Sequence, residues 1–237
     1  KLIEKRIALY YSKNLNKISI FKERLIKDIF SYLFEYGNIS QIFVIGSFLT
    51  NKVDYNDIDI LIISEKDIEN DLYEELTNKF NIRFHIIVIP ESNFLYLQKS
   101  CPLTRSMLYY FVSNKPFELS NKTEIDKKHI NFLLMMPEDL LDVNLNSRAF
   151  YDSIRRLITI EKFLQNKKSD PVEINMELRK FIGEVLFSYI KSNETIDSKI
   201  IEKLRDIIKE KLKKINKLLN KKINYKNEQK TAYSWAN

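Results

Sequence analysis

The sequence predicts an α+β protein, with a small mixed β-sheet flanked by helices in residues 1–119 and an all-α helical bundle in residues 120–237. Short apolar runs rich in β-branched residues, typical of buried strands, recur in the first half of the chain. Beyond about residue 120 these runs disappear, and apolar residues recur at the steps of three and four that indicate amphipathic helices. A chain of 237 residues is long enough for two such domains, so we place the domain boundary near residue 120.

Helices and strands are expected to alternate in the first half. Helical spacing of apolar residues predicts a helix over 16–36, and Gly37 is placed to end it. The later elements follow from the same criteria: strands over 41–45, 57–63 and 81–89, a helix over about 67–79, a helix around 103–112 and a possible short edge strand at 116–119.

The second half is expected to be entirely helical. Apolar positions predict three helices, around 150–158, 178–189 and 201–219. Three amphipathic helices can bury their apolar stripes together as a bundle. In the last of them the lysines fall on the side opposite the apolar stripe, so a basic final helix and a tail complete the predicted domain.

Composition excludes several classes of protein. No stretch approaches the ~20 uninterrupted apolar residues of a membrane helix, and the N-terminus is charged too early for a signal peptide. We therefore expect no membrane partner and a cytoplasmic location. Cys101 is the only cysteine, which excludes an internal disulfide and a zinc site built from several thiolates.

The net charge of +7 is concentrated near the end of the chain. Residues 199–230 contain twelve Lys or Arg and four Asp or Glu, a local balance of +8. Such a concentration can contact the phosphates of RNA, here through the helix over 199–222. The alternative is that these lysines form the solvated face of a helix.

Gly46 and Ser47 end the first predicted strand. The chain has only three glycines, so one at a strand end suggests a sharp turn or a close approach to a ligand. Ser47 offers a hydroxyl and a backbone N–H. If a helix begins here, its first N–H groups would face the same point and could bind a triphosphate.

Asp57 and Asp59 stand two apart at the start of the second predicted strand. Alternation along a strand places both carboxylates on one face and directs Ile58 and Ile60 into the core. Adjacent carboxylates repel each other, and a divalent cation with hard oxygen ligands, such as Mg²⁺, relieves this repulsion. The pair therefore predicts a magnesium site suited to nucleoside triphosphate chemistry.

At Ile45-Gly46-Ser47 and Asp57-Ile58-Asp59-Ile60 the sequence resembles the DNA polymerase β-like nucleotidyltransferase superfamily. Its signature is an apolar residue, Gly-Ser or Gly-Gly, a spacer, and Asp-x-Asp/Glu within a strand. The resemblance covers about residues 16–119. It implies Asp57 and Asp59 as catalytic metal ligands, Gly46 and Ser47 as nucleotide-binding residues, Mg²⁺ as cofactor and an NTP such as ATP as substrate.

One position departs from this pattern. Superfamily members generally carry a third carboxylate on a following strand, where it binds metal and acts as base. Here the equivalent place is expected to hold His85, which shares a strand face with Arg83. His85 could act as a base, bind metal, or be a histidine without a catalytic role. Glu91, just beyond the strand, is a weaker substitute.

Two functions remain open at this stage. The first is transfer of a nucleoside monophosphate from an NTP to a hydroxyl acceptor. The resemblance allows RNA, protein or a small molecule as acceptor and a toxin-type role, and the basic final helix favours RNA. The second is a catalytically inactive nucleotidyltransferase fold that binds a nucleic acid or a protein, for which His85 in place of an acid is the main argument.

Overall fold

The α+β fold class is confirmed by a computed structural model, which describes residues 7–50 and 57–234, with side chains up to residue 223. The polar connection predicted between the first two strands falls largely on residues 51–56, outside the described residues. The chain divides into two compact units. The first comprises Lys1–Lys99 and Met107–Lys122, and the second comprises Ser100–Ser106 and Thr123–Asn237.

The first unit is built on a mixed sheet. Its described strands are β1 (Tyr10–Tyr11), β2 (Ile39–Ile45), β3 (Ile58–Ser64), β4 (Phe84–Ile89) and β5 (Phe111–Ser113). They lie side by side in the order β1-β5-β2-β3-β4. The pairs β1–β5, β5–β2 and β2–β3 are antiparallel, whereas β3 and β4 are parallel. The helices are α1 (Ile20–Glu35), α2 (Glu69–Phe80) and α3 (Glu91–Ser100).

The apolar pattern of α1 and the central strands places the core of this unit. Ser19 caps α1 by accepting a hydrogen bond from the Lys22 backbone N–H at 3.3 Å. The inward side of α1 and alternate residues of β2 and β3 are buried together in one apolar cluster. Ile58 and Ile60 belong to that cluster and are fully buried, as their alternation with the aspartates predicted.

The structure corrects two elements around residues 103–119. The predicted helix over 103–112 is the shorter α4 (Pro102–Met107), and the strand lies at Phe111–Ser113 rather than at 116–119. Pro116 has no N–H to donate to a strand ladder. Phe117 instead places its ring against Phe43, with the ring centroids 5.0 Å apart. The aromatic and β-branched residues that pair are therefore those before the proline.

The second unit has more helices than predicted. Its described helices beyond α4 are α5 (Lys127–Asp139), α6 (Ser147–Leu164), α7 (Pro171–Ile182), α8 (Glu184–Lys191) and α9 (Ser198–Ser234). The prediction of three helices was wrong because α5 was missed and because the apolar pattern over 178–189 continues across a break. Gly183 has φ +88° and ψ 153°, which ends α7 and starts α8.

The core of the second unit contains a buried ion cluster. The carboxylate of Glu161 on α6 accepts a hydrogen bond from Lys211 Nζ on α9 at 2.7 Å and a second one from Lys214. Side chains of Glu161 and Lys211 are only 7% and 5% exposed, and Lys211 also lies over the ring of Phe181. Part of the basic charge of α9 is therefore neutralised inside this unit.

Candidate active site

The ends of three neighbouring strands bring the predicted site residues to one edge of the sheet. In the strand register, Ile45 of β2 is opposite Asp59 of β3, and Asp59 is beside His85 of β4. Gly46 and Ser47 directly follow β2, and Asp57 directly precedes β3. Asp57 was expected within the strand, which instead begins at Ile58.

Gly46 allows the closest contact in this group. Its φ of +80° and ψ of −160° fall in a region of backbone conformation that is essentially restricted to glycine. A Cβ atom at this position would lie 2.1 Å from Asp59 Oδ2, far inside van der Waals contact. Only a residue without a side chain can therefore turn the chain here and leave room for the Asp59 carboxylate.

Asp59 and His85 form a hydrogen-bonded pair. His85 Nδ1 lies 3.0 Å from Asp59 Oδ1. The Asp59 side chain is 27% exposed and that of His85 is 63% exposed, so the imidazole remains open to solvent on its other side. With Asp59 ionised, its carboxylate accepts Nδ1–H, which leaves the Nε2 lone pair of His85 directed away from the pair.

Asp57 adds negative charge to the environment of Asp59. Burial raises the pKa of Asp59, the hydrogen bond from His85 lowers it, and the nearby negative charge of Asp57 raises it again, with a net shift above the ordinary value. The charge of Asp57 therefore acts on the Asp59 carboxylate, although Asp57 lies just outside the strand. An external cation would relieve this repulsion.

The turn after Gly46 is shorter than the helix that was expected there. Ser47–Leu49 form a single 3-10 turn, which does not present the N–H groups of an α-helix N-terminus to a triphosphate. Ser47 is exposed, and its carbonyl accepts hydrogen bonds from the Thr50 backbone N–H at 3.0 Å and from Thr50 Oγ1 at 2.7 Å. Ser47 therefore offers its hydroxyl from a fixed turn.

Lys22 stabilises this turn through its ammonium group, a role that the sequence analysis did not predict. Its Nζ donates to the Thr50 carbonyl at 2.7 Å and lies 5.2 Å from the centroid of the Phe48 ring. Burial lowers the pKa of this ammonium. A signal was present, because Lys22 occupies the apolar stripe of α1 one turn before Ile26, where a solvated lysine is not expected.

Arg83 and Glu91, the two remaining candidates, lie at opposite ends of β4. Arg83 is exposed and lies beside Asp57, since the Arg83 carbonyl accepts the Ile58 N–H at 3.0 Å. Glu91 begins α3 beyond the opposite end of β4, where its backbone N–H donates to Glu65 at 3.0 Å. Six residues of extended strand, roughly 20 Å, separate it from His85. The geometry excludes Glu91 as the third acid at this site.

The carboxylates present fit a magnesium ion that is completed by its substrate. Among the described residues, no cluster of three or more His, Cys, Asp or Glu side chains is arranged to hold a metal. Mg²⁺ is commonly bound by one or two carboxylates together with water and substrate phosphates, rather than by a full set of protein ligands. Burial is the main cause of the raised pKa of Asp59, and the charge of Asp57 adds to it, which marks this carboxyl as a candidate functional group.

Comparison with known proteins adds no assignment. The chain matches no model of a protein family, no curated protein and no solved structure. Within the described residues, the search for a helix long and apolar enough to cross a membrane finds none.

Proposed function

We propose that the chain is a magnesium-dependent nucleotidyltransferase that transfers a nucleoside monophosphate from an NTP to a hydroxyl acceptor. The observation that carries the proposal is the Asp59 carboxylate, which packs against Gly46, pairs with His85 and is repelled by Asp57. Two neighbouring carboxylates support binding of a cation that arrives with the triphosphate.

The residues divide the reaction between them. Asp57 and Asp59 would hold Mg²⁺, which supplies positive charge to the phosphate oxygens when bound. Ser47 would donate its hydroxyl to the triphosphate. Arg83, which is exposed and forms no ion pair within the described part of the chain, would add positive charge on the side of His85.

His85 would take the proton of the acceptor. The acceptor oxygen forms a bond to the α-phosphorus, the bond between the α-phosphorus and its bridging oxygen breaks, and pyrophosphate leaves with the electron pair. The acceptor proton passes to Nε2 of His85, while Asp59 holds Nδ1–H and stabilises the imidazolium that forms. The proposed setting is the cytoplasm, where nucleoside triphosphates are made and used.

Pyrophosphate release tests the proposal. The chain is incubated with each NTP and a mixture of hydroxyl acceptors, with Mg²⁺ or with EDTA. We expect release only with Mg²⁺, and its loss in Asp57→Asn and Asp59→Asn. NTP binding that is the same with Mg²⁺ and with EDTA, and unchanged in both variants, would rule out the metal site.

His85 has its own test. His85→Gln is expected to keep Mg²⁺-dependent NTP binding and to lower turnover by about 10²- to 10⁴-fold, the range for loss of general-base catalysis. His85→Asp restores a carboxylate at this position and is expected to retain more turnover than His85→Gln. Equal turnover in the wild type and His85→Gln would remove His85 from the mechanism.

The second candidate function is binding without transfer. The observation that favours it is the imidazole at the strand position next to Asp59, together with the lack of a three-ligand metal cluster in the described residues. This candidate predicts NTP binding without pyrophosphate release for every nucleotide and acceptor tested. Release in the wild type that His85→Gln reduces would exclude it.

A further inference from the structure

A groove between α5 and α9 combines an aromatic floor with polar walls. It encloses about 600 Å³, within the range of roughly 300–1,000 Å³ that is typical of ligand pockets. Phe132 and Met135 of α5 line it and are 66% and 54% exposed. Asn216 and Asn220 line it from α9. An aromatic ring this exposed next to side-chain amides offers a surface on which a planar ring can stack.

Lysines surround the groove. Lys127 and Lys128 line it at the start of α5, and Glu138 is the acidic residue in its lining. Lys213 and Lys217 stand one helical turn before Asn216 and Asn220 and so border the same side of α9. Within the described residues, none of these four lysines forms an ion pair with a carboxylate.

Ion pairing distinguishes the side of α9 that borders the groove from the side that packs against α6. Lys211 and Lys214 face α6, and Glu161 neutralises both. Lys213 and Lys217 border the groove and form no ion pair with any carboxylate in the described part of the chain. The basic charge found in the sequence is therefore not evenly solvated, because one part is used inside the unit and another part remains available beside the exposed ring of Phe132.

We propose that the α5–α9 groove binds single-stranded nucleic acid. A base stacks on Phe132, and phosphates contact Lys127, Lys128, Lys213 and Lys217. Aromatic stacking combined with basic side chains along the backbone is the general mode of binding to single strands, because every base has a stacking face. As the acceptor of the transfer, this partner rests on the proposed function, whereas the binding itself needs neither NTP nor Mg²⁺.

Fluorescence anisotropy of the full chain with a short labelled single-stranded RNA tests the inference, without nucleotide and with EDTA. Phe132→Ala is expected to weaken binding by about 5- to 150-fold, the loss from removing one stacking platform. Phe21→Ala is the matched control, because Phe21 is 65% exposed on α1 of the other unit. Its binding should equal that of the wild type.

Salt dependence tests the lysines. Lys127→Gln combined with Lys217→Gln is expected to reduce the slope of log affinity against log salt by about 1.4, that is, about 0.7 for each lost phosphate contact. Lys180→Gln combined with Lys203→Gln, two exposed lysines outside the groove lining, should leave the slope unchanged. A single-stranded DNA of the same sequence shows whether RNA hydroxyls contribute, and binding of either strand in the expected pattern supports the inference.

Three results would overturn it: equal binding by Phe132→Ala and Phe21→Ala, equal salt slopes in the two double variants, or displacement of the RNA by poly-glutamate at equal charge. The last result would indicate an acidic protein partner instead. Because no NTP is present, failure here leaves the transfer reaction untouched, and absence of pyrophosphate release leaves the groove untouched.

Discussion

Asp59 in the sheet unit and Glu161 in the helical unit are both partly or fully removed from water, but their pKa values move in opposite directions. Burial raises the pKa of Glu161, but hydrogen bonds from Lys211 and Lys214 outweigh that effect and lower it overall. Burial also raises the pKa of Asp59, and there the charge of Asp57 adds to the rise while His85 offsets only part of it. The partners decide the direction of the shift.

This difference separates a structural carboxylate from a candidate functional one. Lys211 and Lys214 of the same chain neutralise the negative charge of Glu161, so this carboxylate needs no external cation. Asp59 has the imidazole of His85 on one side and a second acid on the other. Structural ion pairs also perturb pKa values, but a buried carboxyl whose pKa is raised beside a second acid is a candidate functional group.

Glu161→Gln should produce the largest change in stability. We expect the free energy of unfolding, measured by urea denaturation at neutral pH, to fall by about 3–5 kcal/mol, because buried Lys211 loses its hydrogen-bonded counter-charge and keeps only Glu177, 3.9 Å away. The lowered pKa of Glu161 means that its contribution is present above the pKa of the unfolded chain and is lost as pH falls through the folded pKa. The difference between wild type and variant should therefore shrink in acid.

The control for this prediction replaces both charges. Glu161→Leu combined with Lys211→Met removes the buried pair and should be far less destabilising than Glu161→Gln, since well-packed apolar residues can replace a buried ion pair. Lys214 is 55% exposed and can return to water in either case. A double variant as unstable as the single one would show that shape, and not charge, stabilises this core.

Gly46→Ala should have an effect of similar size, and Gly183→Ala separates its two causes. Both glycines have positive φ with extended ψ, so alanine at either one incurs backbone strain of about 1–3 kcal/mol. A Cβ at Gly183 would meet nothing within 4 Å, whereas one at Gly46 would collide with the Asp59 carboxylate. We expect Gly46→Ala to lose about 1–3 kcal/mol more in urea denaturation, the usual range for overpacking.

The same pair of variants addresses the proposed site. Gly46→Ala should also lose Mg²⁺-dependent NTP binding, measured by calorimetry, because the Asp59 side chain must move to admit the methyl group. Gly183→Ala should retain that binding. If both variants bind NTP like the wild type, the contact between Gly46 and Asp59 has no part in nucleotide binding.

The sequence predicted how the candidate residues lie relative to one another better than it predicted the helices of the second unit, for physical reasons. Gly46, Asp57, Asp59 and His85 come together through strand ends and strand alternation, which are local features that a single sequence displays. Alternation along β4 indicated that His85 could face the site, and the parallel pairing of β3 with β4 places it beside Asp59. These positions required little knowledge of distant contacts.

The elements that were missed depend on tertiary contacts. β5 has three residues and is a strand only because β1 and β2 flank it. Buried Lys22 is explained by the Thr50 carbonyl and the Phe48 ring, neither of which is near it in sequence. The break at Gly183 leaves the apolar periodicity intact on both sides, so a search for helical spacing passes over it.

Asp59→Asn should have the smallest effect, and its sign is the informative quantity. A carboxyl whose pKa is raised by folding contributes stability below its unfolded pKa and loses that contribution as pH rises through the folded pKa. At neutral pH the ionised Asp59 is therefore unfavourable in the ligand-free fold, and the neutral amide should raise the midpoint of thermal unfolding measured in EDTA. The gain should vanish below the unfolded pKa, where the wild-type carboxyl is also neutral.

Asp57→Asn provides the control, because removing the neighbouring charge should raise the midpoint while the Asp59–His85 hydrogen bond is kept. Destabilisation by Asp59→Asn at neutral pH would place Asp59 with Glu161 as a structural carboxylate and remove the physical basis for a cation site.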